Sequence, residues 1–346
     1  MEPRGDVAPP PFSSKPFSFI ARPLEPIYRL GLGLDRRRQL KLPPHRLRVP
    51  VVSVGNLTVG GPGKTPVVEA LARAWLRRGG SPGILSRGYR GGKNGNDEYR
   101  LLARRLAGVP HVAEKERRLG GERLLTENPG VDLILLDDGF QHRRLHRDLD
   151  LVLIDATRPF GGGHCLPAGW LREPWTALSR ADAILITRSD QISTGALRQL
   201  TQLLRERFPH VWIGTSRLVF EGVRERGEGG KLGSVKQKAA GVVGAFCAIG
   251  NPDAFFDSLR RLGFELSFRK TFRDHHSYDE RDLTELRTAA RSAGVERLLT
   301  TEKDGVKLEE LASFGSGSPT IGQVRMRSEF PADDLLDRVA RSSPVE

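Results

Sequence analysis

Gly60, Gly61, Pro62, Gly63, Lys64 and Thr65 lie within VGNLTVGGPGKTPVV (54–68), and their types suit phosphate binding. Glycines let backbone N–H groups turn toward an anion at a helix N-terminus. A lysine directly after such a turn reaches β- and γ-phosphate oxygens, and the hydroxyl that follows ligates Mg²⁺. The strict pattern G-x-x-x-x-G-K-[ST] asks for glycine at position 58, where this chain has Thr58. The assignment therefore rests on the flanks; without them the stretch is a tight turn with a solvated lysine. VPVVSV, ending at Val54, is an apolar β-branched run that predicts a buried strand. Val67, Leu71 and Trp75 recur at helical spacing, and Gly79 stops the helix. Pro66 is tolerated in the first helical turn. Strand, glycine-rich turn and helix is the arrangement a phosphate loop requires.

Open parallel sheets bind ligands beyond the carboxyl ends of their strands, so polar residues after apolar runs are the next candidates. Asp137 and Asp138 end VDLILLDD (131–138). A carboxylate there holds Mg²⁺ beside cradled phosphates, or caps the turn at Gly139. SRGYRGGKNGNDEY (86–99) sets Arg87, Arg90 and Lys93 among glycines, which suits a phosphorylated ligand. Asp97 and Glu98 follow. A carboxylate there can accept the proton of an attacking hydroxyl. Equally, Asp97 can cap a helix whose first turn holds Glu98. FRDHHSY (272–278) contains Asp274, His275 and His276. An Asp-His pair orients a base or tunes its pKa, and two adjacent histidines leave at most one in such a role.

These groups need elements to carry them. PGILS (82–86), VDLILLDD, DLVLIDA (150–156) and DAILIT (182–187) predict further strands, and LRQLTQLLRERF (197–208) a helix. Their alternation predicts a mostly parallel α/β sheet. EGVRERGEGGKLGSVKQKAA (221–240) is rich in glycine and charge and reads as a linker. Beyond it, GVVGAFCAIG (241–250) predicts a strand, and NPDAFFDSLRRLG a helix ending at Gly263. DERDLTELRTAARSAG (279–294) predicts a helix, ERLLTTEKD (296–304) a strand with a polar end, and the final residues show little pattern. The expected organisation is an N-terminal segment 1–48, a phosphate-loop core 49–220, a linker 221–240 and a smaller α/β domain 241–346. On that division Asp97 and His275 belong to different domains and meet only when the domains close.

The chain has 346 residues, 38% apolar and 28% charged, which fits a soluble fold. Its net charge of +13 attracts polyanions. No aromatic interleaving or recognised motif points to a specific nucleic acid. Cys165 and Cys247 are far apart and unlike any metal spacing, which fits a reducing compartment. FSFIARPLEPIYRLGLGL (17–34) is apolar but interrupted by Arg22, Pro23, Glu25, Pro26 and Arg29, so it is a poor spanning helix. The basic DRRRQLKLPPHRLR (35–48) follows. Such a pair can lie on an anionic membrane surface, or form an arm that docks on the core or stays loose.

TRSD (187–190) and TEKD (301–304) invite comparison with the guanine-reading [NT]-K-x-D signature. The first has Arg for Lys and the second has its Lys displaced by one. The D-x-x-G loop of GTPases is also missing after Asp137. Another likeness is far more extensive. SVGNLTVGGPGKTP, LSRGYRGG, NDE, LDDGFQHRRLHRDLDLVLID, LPAGWLREP, IGNP, FRDHHSY and TTEKDGVKL occur in this order between about residues 20 and 330. With them the chain resembles the tetraacyldisaccharide 4′-kinases of lipid A biosynthesis, whose phosphate loop also opens on Thr or Ser. The resemblance implies a P-loop NTPase-like sheet flanked by helices, with a second, smaller α/β domain. It implies ATP with Mg²⁺, and γ-phosphoryl transfer to the 4′-hydroxyl of an acylated disaccharide 1-phosphate lipid, giving lipid IVA. It matches Lys64 and Thr65 to the family's phosphate and metal residues, and Asp137 and Asp138 to its paired Asp. Asp97 matches its general base, and His275 the histidine supporting the catalytic acids. Gln141, Arg172 and Glu173 fall near acceptor or nucleotide, and Arg87 joins them as a substrate contact. The implied location is the cytoplasmic face of the bacterial inner membrane, peripheral or N-terminally anchored. Trp170 departs from the family's usual proline in LPAGPLREP, and RPFGGGHC (158–165) is looser than its counterpart. The alternative reading is a P-loop GTPase or ATPase switch.

Overall fold

The computed structural model describes residues 19–88, 97–225, 241–315 and 317–342. Arg90, Lys93 and most of the expected linker lie outside the described residues. A short 3-10 turn (Phe19–Leu24) leads into α1 (Glu25–Gln39), β1 (Val51–Asn56), α2 (Lys64–Arg77), β2 (Pro82–Ser86) and α3 (Asp97–Arg105). Then come β3 (His111–Ala113), α4 (Arg117–Glu127), β4 (Leu133–Asp137), β5 (Leu149–Asp155) and β6 (Ala183–Thr187). α5 (Thr194–Arg207), β7 (Trp212–Thr215), β8 (Arg217–Glu225), β9 (Gly241–Cys247), α6 (Pro252–Arg261) and β10 (Phe264–Thr271) follow. The chain ends with α7 (Glu280–Ser292), β11 (Arg297–Thr301), α8 (Glu302–Leu308), β12 (Thr320–Glu329) and α9 (Ala332–Ser342).

These elements form two compact units. The first comprises Met1–Arg87, Val109–Arg217 and Glu329–Glu346. Its seven-stranded sheet runs β3-β2-β4-β1-β5-β6-β7, with every pairing parallel. Strands covered by helices on both faces read as continuous apolar runs. Every residue of β1, β2, β4 and β6 is accordingly buried. Parallel register brings the carboxyl ends to one edge: Val54 pairs with Asp137, Asn56 with Leu153, and Asp155 with Thr187.

The second unit comprises Gly88–Gly108 and Leu218–Ser328. Its sheet runs β10-β9-β11-β12-β8, parallel from β10 through β12. Phe246, Leu283, Leu286 and Leu298 fill one face, and Val243, Phe256, Leu259 and Leu299 the other.

Three expectations need correction. β11 stops at Thr301, whose side chain accepts the Asp304 N–H, so TEKD opens a helix rather than ending a strand. The tail beyond about residue 328, expected to be weakly patterned at its very end, carries α9, in which Leu335, Leu336 and Val339 are fully buried. Packing also divides the chain differently from the boundaries at 220 and 241. Helix α3 belongs to the second unit, and α9 returns to the first.

Candidate active site

The phosphate-loop residues join β1 to α2. Gly60 and Gly63 adopt φ of 110° and 93°, conformations that side chains resist. Gly63 is the N-cap of α2, and no side chain caps that helix. The first-turn N–H groups are therefore arranged as an anion site. Neighbouring strands brace the loop. Thr187 Oγ1 donates to the Pro62 carbonyl (2.8 Å), and Arg188 Nη2 to that of Gly61 (3.2 Å). Asp155 holds the other arm of Arg188. The Val59 N–H donates to the Trp170 carbonyl (2.7 Å), so the divergent tryptophan meets the loop through its backbone. TRSD thus supports the phosphate loop, a role its comparison with a base-reading signature did not anticipate.

Lys64 is buried, and its Nζ lies 3.1 Å from Asn56 Oδ1 and 3.3 Å from Asp138 Oδ1. Arg172 Nη1 contacts both Asp138 oxygens, at 3.1 and 3.0 Å. Burial pushes the Asp138 carboxyl up, but Lys64 and Arg172 outweigh it and bring it down to about 2. Asp138 is therefore ionised at neutral pH, in the left-handed region at φ 56°. Asp137 is buried at the end of β4. The turn after it lies flat on β1: a Cβ at Gly55 would come within 2.5 Å of Phe140 Cβ and 2.7 Å of its amide nitrogen. Gln141 Nε2 donates to the Asn56 carbonyl (3.0 Å) and to Glu173 Oε1 (3.1 Å), and Arg180 Nη2 donates to the same oxygen (2.7 Å). Helix α1 reaches this cluster too. Tyr28 donates to the Arg172 carbonyl (3.1 Å), and Glu25 accepts from the Cys165 N–H (3.0 Å) and contacts His164 (2.9 Å).

Lys64, Asp138, Arg172, Gln141 and Glu173 thus come together, with Thr65 in the first turn of α2. Arg87 is exposed after β2. Asn56 and Arg117 were missed. Arg117 is buried at the start of α4 and donates to the Glu114 and Lys115 carbonyls. Burial, then Arg87, lowers its pKa, and Asp138 and Asp137 oppose that. It stands outside every motif, so only the fold reveals it.

A second cluster lies wholly within the second unit. Asp97 opens α3, with Lys307 Nζ at 3.1 Å and His275 Nδ1 at 3.6 Å from its Oδ2. Burial raises the Asp97 carboxyl, yet His275, Lys307 and Lys303 together hold it below the usual value. His275 sits at φ 60° with its N–H donating to Asp274 Oδ1 (3.0 Å). His276 turns away to Asp282 (2.8 Å) and stacks on Phe272, so one of the two histidines faces Asp97. The pair therefore forms within one unit, and the expectation that it assembles only on domain closure is overturned. Lys307, which the sequence did not single out, is the closer of the two to Asp97.

The model of the tetraacyldisaccharide-1-P 4′-kinase family matches residues 17–341. A tetraacyldisaccharide 4′-kinase of Geobacter sulfurreducens is 39% identical over 310 residues, 84% of this chain and 84% of its own. One of Syntrophus aciditrophicus is 37% identical over 325 residues, 85% of each chain. A crystal structure of LpxK from Aquifex aeolicus in complex with ATP aligns with a TM-score of 0.67 at 27% identity, covering 93% of this chain and 98% of that one. With the matched length, the parallel sheet and a lysine–aspartate pair at the phosphate loop, this chain belongs to the tetraacyldisaccharide-1-P 4′-kinase family.

Proposed function

We propose that this protein transfers the γ-phosphoryl group of ATP to the 4′-hydroxyl of a tetraacyldisaccharide 1-phosphate, giving lipid IVA. The observation that carries this reading is the buried Lys64 held between Asn56 and Asp138 at the uncapped start of α2. The residues suit the nucleotide and its cation. A Cβ at Gly60, Gly61 or Gly63 would meet nothing within 4 Å, so the face of the loop is open to a ligand. Thr65, Asp137 and Asp138 offer the oxygen donors that Mg²⁺ prefers, and that ion is commonly held by one or two carboxylates plus phosphate oxygens. Among the described residues no group of three or more His, Cys, Asp or Glu could hold a metal ion without such help. Thr65, Asp137 and Asp138 would hold Mg²⁺, which would supply positive charge to offset that of the phosphates.

The chain's own residues supply the rest. Lys64 and Arg172 stabilise charge on the transferred group, and Asn56 aims Lys64. Gln141 and Glu173 orient the acceptor or the nucleotide, and Arg87 contacts substrate phosphate. Asp97, ionised, accepts the proton of the 4′-hydroxyl as its oxygen bonds to phosphorus and ADP leaves. His275 supports that carboxylate. Helix α1 holds the protein to the anionic cytoplasmic face of the inner membrane, where the lipid acceptor lies. The switch reading has less behind it, because Thr187 and Arg188 are occupied in bracing the loop.

The test is to incubate the protein with γ-labelled ATP, Mg²⁺ and the disaccharide 1-phosphate lipid, then look for label in the lipid. Label is expected there, and Lys64→Ala in a folded protein should cut transfer on the order of 10²-fold or more. GTP hydrolysis independent of acceptor, with no label in the lipid, would return the protein to the switch class.

A further inference from the structure

Helix α8 begins inside TTEKDGVKL, a stretch to which the reaction described above gives no role. The charges of α8 and of the two residues after it match those of α3. Lys307 meets Asp97 (3.1 Å) and Lys303 meets Glu98 (3.5 Å). Glu302 pairs with Arg105, Glu309 with Arg104, and Glu310 with Arg100 (2.8 Å). Arg100 also donates to the Val306 carbonyl (2.8 Å). Lys307 differs from the rest of this zipper. It is 9% exposed, and its ammonium also donates to the His276 carbonyl (3.0 Å) and lies 3.8 Å from Asp304 Oδ1. Asp304 is itself fixed, with Oδ2 accepting from the Ala248 N–H (3.1 Å) and Thr301 Oγ1 (2.7 Å). A lysine held on three sides in the core is a fixed point charge.

We propose that Lys307 is the positioning residue for Asp97: its ammonium fixes the carboxylate that receives the acceptor's proton, and the α3–α8 ion pairs set where that carboxylate stands. This rests on the reading of Asp97 as the base. Among the described residues His275, Lys307 and Lys303 face Asp97, and all three favour its ionised form. Phosphoryl transfer through a loose transition state asks little basicity of the proton acceptor and much of its orientation. A buried ammonium supplies orientation at the expense of basicity.

The test is the pH profile of kcat/KM in the full chain for wild type, Lys307→Met and Lys307→Arg, with fold checked by circular dichroism. Removing a cation this close raises a carboxylate's pKa by about 1–3. The acid limb in Lys307→Met is expected to move up by about one pH unit or more, with the KM for ATP unchanged and Lys307→Arg restoring the limb. A folded Lys307→Met that loses the same factor at every pH overturns the inference and leaves the lysine a structural anchor. Asp97→Asn separates the two ideas. Near-normal turnover there removes the base itself, whereas an inactive Asp97→Asn with an unmoved limb in Lys307→Met removes only the lysine's role. One measurement needs no variant. The Asp97 carboxyl, followed by carbon NMR in the wild-type chain, is expected to titrate below the ordinary range, and a value at or above about 3.9 overturns the inference.

Discussion

Asp138 carries two tasks that pull in one direction. It holds Lys64 and Arg172 in place, and it stays ionised because they hold it. Its carboxyl lies at about 2 in the folded chain, against an ordinary 3.8. A carboxylate with a depressed pKa stabilises the fold fully above its unfolded value, and that stability is lost as pH falls toward the folded value. The window is therefore about pH 4 down to about pH 2, and the contribution is on the order of 2 kcal/mol. Because the chain has two units, a single unfolding free energy is poorly defined. Hydrogen exchange of the β1 and β4 amides reports the first unit alone. In wild type their protection should weaken between about pH 4 and pH 2.5 by more than in Asp138→Asn. Equal pH dependence in the two proteins would mean that the ion pairs are not what depresses Asp138.

The elements explain why some of this was readable in advance and some was not. Strand β6 ends in a residue that works on another loop: Thr187 holds the Pro62 carbonyl. Thr187→Val keeps the shape and removes that bond, whose net worth is about 0.5–1.5 kcal/mol. The KM for ATP should rise roughly 2- to 10-fold while that for the acceptor stays put. Steady-state kinetics with each substrate varied in turn decides it, and an unmoved ATP KM refutes the brace. The phosphate loop was legible because β1 and α2 are each buried in their own periodicity, one continuous and one helical. Asp137 and Asp138 were legible for the same reason, as the end of a fully buried run. Helix α4 was not, since Gly120 and Gly121 interrupt its middle and lower its propensity. Strand β3, with three residues, is too short to show a period. Thr301 looked like more strand because an N-cap threonine and a strand threonine are the same residue until its side chain is seen to accept the Asp304 N–H. The home of Asp97 was hidden by distance along the chain: α3 is held by ion pairs to residues some two hundred positions later, such as Arg100 to Glu310. Nothing in the charged run TEKDGVKLEE names α3 as its partner until the fold brings the two together.

At the scale of the whole molecule, the question is how a chain of net charge +13 meets a lipid acceptor. No helix among the described residues is long and apolar enough to cross a membrane. Helix α1 instead has two faces. Glu25, Tyr28, Leu32 and Gln39 are half-buried at helical spacing, and Glu25, Tyr28 and Gln39 bond to the first unit. Ile27, Leu30 and Leu34 are 67%, 67% and 50% exposed, and Arg36, Arg37 and Arg38 fill the last turn. Helix α1 is therefore neither loose nor wholly docked. It is fastened along one face and leaves apolar side chains out on the other, above a basic end. Each such side chain gains about 1.5–3 kcal/mol if fully buried, and each cation near an anionic surface about 1 kcal/mol. That sum is what the attachment proposed above would draw on, and it predicts binding that is reversible and weakened by salt. The full chain should co-sediment with vesicles containing anionic lipid, less so with neutral vesicles or at high salt. Ile27→Asp with Leu30→Asp should cut partitioning by roughly 10-fold or more. The docked face is untouched by those changes, so transfer to an acceptor dispersed in detergent should persist. Tyr28→Phe is the converse case: it removes the bond to the Arg172 carbonyl and leaves the exposed face intact, so vesicle binding should hold while turnover falls. If the Ile27/Leu30 variant sediments as wild type does, attachment lies elsewhere in the chain. If Tyr28→Phe loses vesicle binding instead of turnover, the two faces of α1 have been assigned the wrong way round.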